Sequence, residues 1–128
     1  IEMVIAQAER DSCVQDLTLP TVDMTESGPG TYQSPSFEVG PADAWLEMEA
    51  APFALPFLDL VLTGEFSADA SQIVEGTLIG HIDVSLLSGA CYLFTCLPCP
   101  TGIGDCVPFA VTEATWDDTG AGPLDEIR

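Results

Sequence analysis

Four of the five cysteines in this chain lie close enough together to react with one another. Cys91, Cys96, Cys99 and Cys106 have the spacing C-x4-C-x2-C-x6-C. An even number of cysteines joined by short segments rich in Pro and Gly is typical of local disulfides in exported domains. Four thiolates could instead hold a structural zinc ion, although this spacing is not a common zinc pattern. The cluster predicts two disulfides whose pairing stays open, with Cys13 either free or joined to a segment outside this chain.

Two redox chemistries also use cysteines at related spacings. The first three cysteines resemble a plant-type ferredoxin loop, but Tyr92, Leu93 and Phe94 are too bulky for a loop that must turn its amides toward the sulfurs. The segment Cys96-Leu97-Pro98-Cys99 resembles a thioredoxin-type motif, whose reactive thiolate caps the N-terminus of a following helix. The segment Pro100-Thr101-Gly102 disfavours that helix. A metal or thiol redox protein that uses residues 91–106 is therefore the third functional hypothesis.

The charge of the chain excludes several classes of partner. Asp and Glu total 21, Lys and Arg total 2, and the formal net charge is −19. Nucleic-acid binding requires cationic side chains that displace counterions, and an anionic membrane surface repels an acidic protein. The chain is nevertheless 47% hydrophobic, which suffices for a core. Other protein subunits are the partners that we expect.

Alternating hydrophobicity predicts that most of the chain is β structure. Apolar residues occupy every second position in 58–66 and in 74–86, and a short polar turn separates the two segments. This period of two indicates a hairpin of half-buried strands. Residues 37–49, 90–96 and 107–116 also have strand-like patterns. We predict an all-β fold, an antiparallel sandwich or barrel with the 58–66/74–86 hairpin at its centre.

The division of the chain into segments follows its composition. Apolar residues at helical spacing predict a short N-terminal helix or arm over 1–19. A stretch rich in Pro, Gly, Ser and Thr predicts an irregular linker over 20–36. The strands define a β domain over 37–117, and we expect a loop or tail over 118–128.

The hairpin permits a prediction of its register. Centring the turn on Ala70 places Leu62 opposite Leu78 and Leu58 opposite Ile82, so that both apolar rows share one face. On the same face Gly64 meets Gly76, which leaves a notch that another side chain must fill.

On the outer face, the same register opposes two pairs of polar residues. His81, the only histidine, lies opposite Asp59, which predicts a structural pair and no catalytic base. Glu65 lies opposite Glu75, and two facing carboxylates repel each other unless a cation joins them.

A second acidic pair, Asp117 and Asp118, precedes a glycine-containing stretch. Together with the opposed glutamates it makes calcium the one candidate cofactor. A calcium-dependent binding or adhesion module is the second functional hypothesis.

The uncharged run of residues 50–57 contains Pro52 and Pro56, which restrict it to a loop or a sheet edge. Its apolar residues are the candidate interface: Phe53, Leu55, Pro56 and Phe57. Exposed apolar residues on so acidic a chain predict a docking surface.

The longest uncharged stretch runs from Val84 to Gly104. Its length is that of a membrane-spanning helix, but Pro98 and Pro100 interrupt the backbone hydrogen bonds that such a helix must make. We therefore expect no transmembrane helix in this chain.

A family resemblance follows from the motifs of the second half. The strand Gly76-Thr77-Leu78-Ile79-Gly80-His81-Ile82-Asp83 precedes Cys91, Cys96-Leu97-Pro98-Cys99-Pro100 and Asp105-Cys106. This series is similar to uncharacterised exported lipoproteins of Gram-negative bacteria, which share such a strand, a C…C-x-x-C…C cluster and a closing apolar strand. The resemblance covers 58–117 and implies an exported, disulfide-bonded β domain without an established activity.

The first functional hypothesis combines these features. The chain is expected to be an extracytoplasmic protein, located in the periplasm, at the cell surface or outside the cell. There it would serve as a non-catalytic structural or accessory subunit of an envelope or surface assembly, acting through protein–protein contact.

Overall fold

A computed structural model describes residues 3–7, 9, 15–47, 54–70, 72–87 and 89–117, with only the strand path given for 113–117. These residues form an all-β protein with two antiparallel sheets, which confirms the predicted fold class. The only helix among them is a single turn, α1 (Ala90–Leu93). Predictions for Phe53, Asp118 and Cys13 lie outside the described residues.

The described residues contain eight strands. They are β1 (Val4–Ile5), β2 (Val22–Asp23), β3 (Thr31–Gln33), β4 (Ser36–Glu47), β5 (Ala54–Phe66), β6 (Gln72–Asp83), β7 (Leu97–Pro98) and β8 (Asp105–Asp117). The large sheet has the order β3-β4-β5-β6-β8-β7, and β1 pairs with β2 in the small sheet. After β6 the chain forms α1 and the short edge strand β7. It then returns along β8, which lies between β6 and β7.

The core lies between one face of the large sheet and the small sheet. Buried side chains of β4 and β5 meet Val22 and Met24, and Met3 and Ile5 pack against the same cluster. Leu60 at the centre is fully buried. The small sheet thus serves as the second layer of an unequal sandwich, because one sheet alone leaves its apolar face in water.

Bulges change which positions along the long strands are buried. In β4 the buried positions are 37, 39, 42 and 44, and in β5 they are 55, 57, 60 and 62. The extra residues lie at Gly40-Pro41 in β4 and near Asp59 in β5. Each insertion moves the apolar series from odd to even positions or the reverse, since neighbouring side chains point to opposite faces.

The predicted register of the β5–β6 hairpin is confirmed at its centre and wrong at both ends. Leu62 lies opposite Leu78 and Thr63 opposite Thr77. Bulges at Asp59 and Glu75, both with positive φ, displace the pairing beyond this centre by one residue. Leu58 therefore faces His81 instead of Ile82, and it does not share the core face with Leu62.

The glycine notch in this hairpin is filled by an aromatic ring. Phe37 of β4 lies directly opposite Gly64, and a Cβ on Gly64 would lie 3.2 Å from the Phe37 ring and 2.9 Å from Ile73. Phe37 in turn stacks on Phe66 with ring centroids 4.7 Å apart. An aromatic side chain across from a strand glycine covers backbone that would otherwise be exposed.

The described residues of the predicted N-terminal helix contain no helix, and the predicted linker over 20–36 contains two strands. Val4–Ile5 form β1, because two β-branched residues fit a strand and an isolated short helix is marginal in water. Residues 20–36 contain β2 and β3, and Val22 and Met24 of this segment belong to the core.

Candidate functional site

The four clustered cysteines form two disulfides, as predicted, and the structure decides their pairing. Cys91 is joined to Cys96 with a Cα–Cα distance of 5.4 Å, and Cys99 is joined to Cys106 at 4.8 Å. The pair Cys96 and Cys99, which carries the thioredoxin-like spacing, is thus divided between two separate bonds. The Cys91–Cys96 disulfide closes a short ring within the connection from β6 to β8, and the Cys99–Cys106 disulfide joins this connection to the start of β8.

This connection, residues 84–104, is here called the apolar loop. It contains six of the eleven large apolar side chains that are exposed in the described part of the chain, namely Leu86, Tyr92, Leu93, Phe94, Leu97 and Ile103. Tyr92 is 96% exposed and Leu93 is 82% exposed. No residue from 84 to 104 is charged, although the chain as a whole has a net charge of −19. Such a concentration of exposed apolar side chains in one uncharged segment favours a contact site.

A hydrogen-bonded base holds the apolar loop on the sheet. The Asp83 carboxylate accepts hydrogen bonds from the Ser85 amide at 2.9 Å and from the Ser85 hydroxyl at 2.6 Å. The Ser85 hydroxyl oxygen accepts one from the Asp105 amide at 2.9 Å, which connects the end of β6 to the start of β8. Within the loop itself, Val84 and Ala90 are buried. The exposed side chains therefore project from a fixed frame.

Glycines allow the turn before β8 to close tightly. Gly104 has φ +91, and a Cβ there would lie 2.6 Å from the Ser85 hydroxyl oxygen. The Cys99 amide donates to the Gly104 carbonyl at 3.3 Å, and the Gly102 amide donates to the Cys99 carbonyl at 2.7 Å. The turn brings Cys99 back to Cys106 within eight residues.

The same kind of acidic turn recurs along the chain. Asp16, Asp23 and Asp83 each accept hydrogen bonds from the amide and the hydroxyl of the residue two positions later. Asp and Ser or Thr favour such turns because their short side chains reach nearby backbone groups. At the exposed Asp16, the hydroxyl and then the amide of Thr18 lower the pKa of the carboxyl group.

A possible metal-binding group at the base of the loop is weakened by the disulfide. One oxygen of Asp83 and the sulfurs of Cys99 and Cys106 lie within 4.8 Å of one another. A sulfur in a disulfide offers no thiolate to a metal ion. Asp83 is also engaged by Ser85. This group lends little support to the hypothesis of a metal protein.

Two residues of the predicted interface, Leu55 and Phe57, lie in the core. Leu55 and Phe57 are each 3% exposed and belong to the core, and Pro56 between them is half-buried. Pro56 does not prevent strand formation, because residues 54–56 pair with β4 and the register with β6 begins at Phe57. The prediction of an exposed edge is therefore wrong for Leu55 and Phe57.

The carboxylate pair that suggested calcium is not formed. Glu65 lies opposite Val74, and Glu75 is the exposed bulge residue next to it. The Glu65 carboxylate accepts a hydrogen bond from the Ser36 hydroxyl at 3.4 Å. The backbone of Asp117 pairs with Gln72 at the end of β8. Calcium binding stays a prediction without the geometry on which it was based.

The single histidine does not pair with Asp59. His81 lies between Leu58 on β5 and Pro108 on β8, and its Nδ1 atom is enclosed without a hydrogen-bond partner. The Asp59 amide instead donates to the Asp43 carboxylate at 3.0 Å, which fixes the bulge. The cross-strand neighbours of His81 offer neither a nucleophile nor a carboxylate.

The sequence pattern identifies the cysteines of residues 91–106 but does not identify the apolar loop as a docking surface. The signal that could have indicated it is the uncharged stretch from Val84 to Gly104. Within the described ranges, no helix has the length and apolar character that crossing a membrane requires.

Comparison with known proteins adds no assignment. No protein-family model, no curated protein and no solved structure matches this chain. The functional argument therefore depends on the geometry of the chain itself.

Proposed function

We propose that this protein is an exported, non-catalytic binding subunit that docks onto another protein through its apolar loop. The observation that carries this proposal is the concentration of six exposed apolar side chains on a frame closed by two disulfides. An accessory role in an envelope or surface assembly agrees with such a surface.

The rigidity of the frame favours binding. Tyr92, Leu93 and Phe94 lie inside the ring closed by Cys91 and Cys96, so their backbone is constrained before any partner arrives. Binding then requires less ordering of the loop, and this lowers its entropic cost. Tyr and other aromatic side chains also contribute disproportionately to the energy of protein interfaces.

The charge distribution favours a partner of a different kind from the chain itself. Two copies with a net charge of −19 repel each other, whereas a neutral or basic partner is not repelled. Because residues 84–104 are uncharged, contact there buries apolar groups without removing any charge from water. We infer that the partner presents an apolar cleft with neutral or basic surroundings.

The disulfides support the proposed location. Such bonds persist in oxidising compartments and are rare in the cytosol. Two of them within sixteen residues agree with an extracytoplasmic protein.

Site-specific photocrosslinking in the cells that make the protein tests the proposal. A photoreactive phenylalanine analogue replaces Tyr92 in the loop or, as the matched control, the exposed aromatic Trp45 on β4. We expect a discrete adduct from position 92 that position 45 does not give. Purified wild-type protein should compete for this adduct, and a variant with Tyr92→Ser and Phe94→Ser should not.

The opposite results would contradict the proposal. Identical adducts from both positions would mean that the contact is not specific to the loop. No adduct from position 92 would mean that the loop contacts no protein. Equal competition by the double variant would mean that the apolar side chains do not carry the contact.

A further inference from the structure

The two disulfides differ in their access to solvent. Cys91 is exposed and Cys96 is half-buried, whereas Cys99 is 3% exposed and Cys106 is fully buried. Exchange begins with attack by a thiolate on a disulfide sulfur, so its rate depends on access to that sulfur. We propose that the Cys91–Cys96 bond is a thiol–disulfide exchange site that accepts dithiol reductants, while the Cys99–Cys106 bond is structural and resists them.

Electrostatics separate the two bonds in the same direction. A carboxylate oxygen of Asp83 lies within 4.8 Å of the sulfurs of Cys99 and Cys106. This negative charge repels an approaching thiolate and disfavours the cysteine thiolate that would leave. Ser85 holds the Asp83 carboxylate in place through two hydrogen bonds. The Cys91–Cys96 ring contains no charged residue.

The exchange reaction is balanced by a dithiol. A thiolate of the reductant attacks the sulfur of the exposed residue Cys91 and forms a mixed disulfide, and the Cys96 sulfur leaves as a thiolate that takes up a proton. The second thiol of the reductant, once deprotonated, attacks the reductant sulfur that is bonded to Cys91. This closes the reductant's own disulfide and releases Cys91 as a thiolate, which takes up a proton. The protein gains two electrons and two protons as a pair of thiols, and the reductant becomes a disulfide.

The consequence for binding rests on the proposed function. Tyr92, Leu93 and Phe94 lie within the ring that the exchange opens. Opening removes the constraint on their backbone, so that docking must then order the segment. The oxidised form is the binding form, and reduction of this one bond weakens docking without unfolding the sheet.

Titration of the folded wild-type protein with dithiothreitol tests the exchange site. Free thiols are alkylated at each concentration and located by mass spectrometry after digestion with chymotrypsin, since no Lys or Arg occurs between Arg10 and Arg128. We expect Cys91 and Cys96 to be alkylated at about tenfold lower dithiothreitol than Cys99 and Cys106, with an unchanged circular dichroism spectrum. Opening of all four together, or of Cys99 and Cys106 first, would overturn the proposal.

The Asp83→Asn variant separates charge from burial, with Asp105→Asn as its control. An amide oxygen at position 83 still accepts from Ser85, but it no longer repels a thiolate. We expect the dithiothreitol concentrations that open the two disulfides to be closer together in Asp83→Asn than in the wild type. In Asp105→Asn we expect them to differ as much as in the wild type. An unchanged difference in Asp83→Asn would overturn the electrostatic part of the proposal.

The titration needs no partner, so it is independent of the docking proposal. Selective opening in a protein that gives no specific crosslink from position 92 would leave the exchange site standing and remove its role in docking. A specific crosslink without selective opening would support the docking proposal and overturn the exchange site.

Discussion

Two apolar segments of this chain have similar compositions but differ in the burial of their side chains. The segment 54–58 of β5 buries Leu55 and Phe57, whereas the segment 92–94 of the apolar loop exposes Tyr92, Leu93 and Phe94. Both lack Lys, Arg, Asp and Glu. The comparison teaches that hydrophobicity alone does not decide burial.

Their neighbours explain the difference. The segment 54–58 pairs with β4 through Phe57 and with β6 from Phe57 onward, and its inward side chains meet the small sheet. The segment 92–94 lies on a single helical turn closed by a disulfide, outside the strands of the large sheet. A covalent bond holds it where burial holds β5.

A matched pair of phenylalanines provides the strongest test of this contrast. Phe57 is buried and meets Phe109 edge-to-face at 5.2 Å, whereas Phe94 is 57% exposed. We expect Phe57→Ala to lower the free energy of unfolding by about 3–5 kcal/mol, because it leaves a cavity in the core. Phe94→Ala should change it by less than about 0.5 kcal/mol. Urea unfolding measures both, and comparable losses would remove the distinction.

Removal of each disulfide extends the comparison to the covalent frame. Closing a ring of six to eight residues contributes about 2 kcal/mol in the chain-entropy account. Cys99→Ala with Cys106→Ala also removes buried sulfur, so we expect a loss of about 3 kcal/mol. Cys91→Ala with Cys96→Ala should lose about 2 kcal/mol or less. Thermal unfolding with both pairs checks the order, and the reverse order would contradict the structural role of the buried bond.

Gly40 lies in a tightly packed bulge of the sheet, whereas Gly102 lies in an open turn of the apolar loop. Gly40 has φ +113, and a Cβ there would overlap the Leu60 carbonyl oxygen. Gly102 has φ +80 with nothing within 4 Å of an added Cβ. We expect Gly40→Ala to cost about 2 kcal/mol or more, from backbone strain and overlap. Gly102→Ala should cost about 1 kcal/mol, from backbone conformation alone. Equal losses in urea unfolding would show that the bulge does not approach β5 closely.

The smallest effect belongs to a turn that depends on neither region. Hydrogen bonds from Thr18 hold the pKa of Asp16 below its usual value. This contribution to stability is fully present above the unfolded pKa and is lost as the pH falls through the lower folded pKa. Thr18→Ala should raise the pKa of Asp16, and Thr18→Ser should not, as measured by NMR titration. A pKa that does not respond to Thr18→Ala would rule out the hydroxyl as its cause.

Local chemistry was sufficient for several features of this protein. The alternation of 58–66 and 74–86 predicts the central hairpin, and the pairs Leu62–Leu78 and Thr63–Thr77 are confirmed. The compact spacing of Cys91 to Cys106 predicts two disulfides. The prediction that polyanions are not partners follows from the net charge of −19, which depends on composition and not on the fold.

Tertiary structure alone decided which apolar residues are buried. A bulge such as the one at Asp59 is fixed by the Asp43 carboxylate on the neighbouring strand, so no pattern within β5 signals it. One inserted residue then reverses the face of every residue beyond it, which moved Leu58 out of the core row and Phe57 into it. Burial is a property of two surfaces that meet, and the sequence of one strand specifies only one of them.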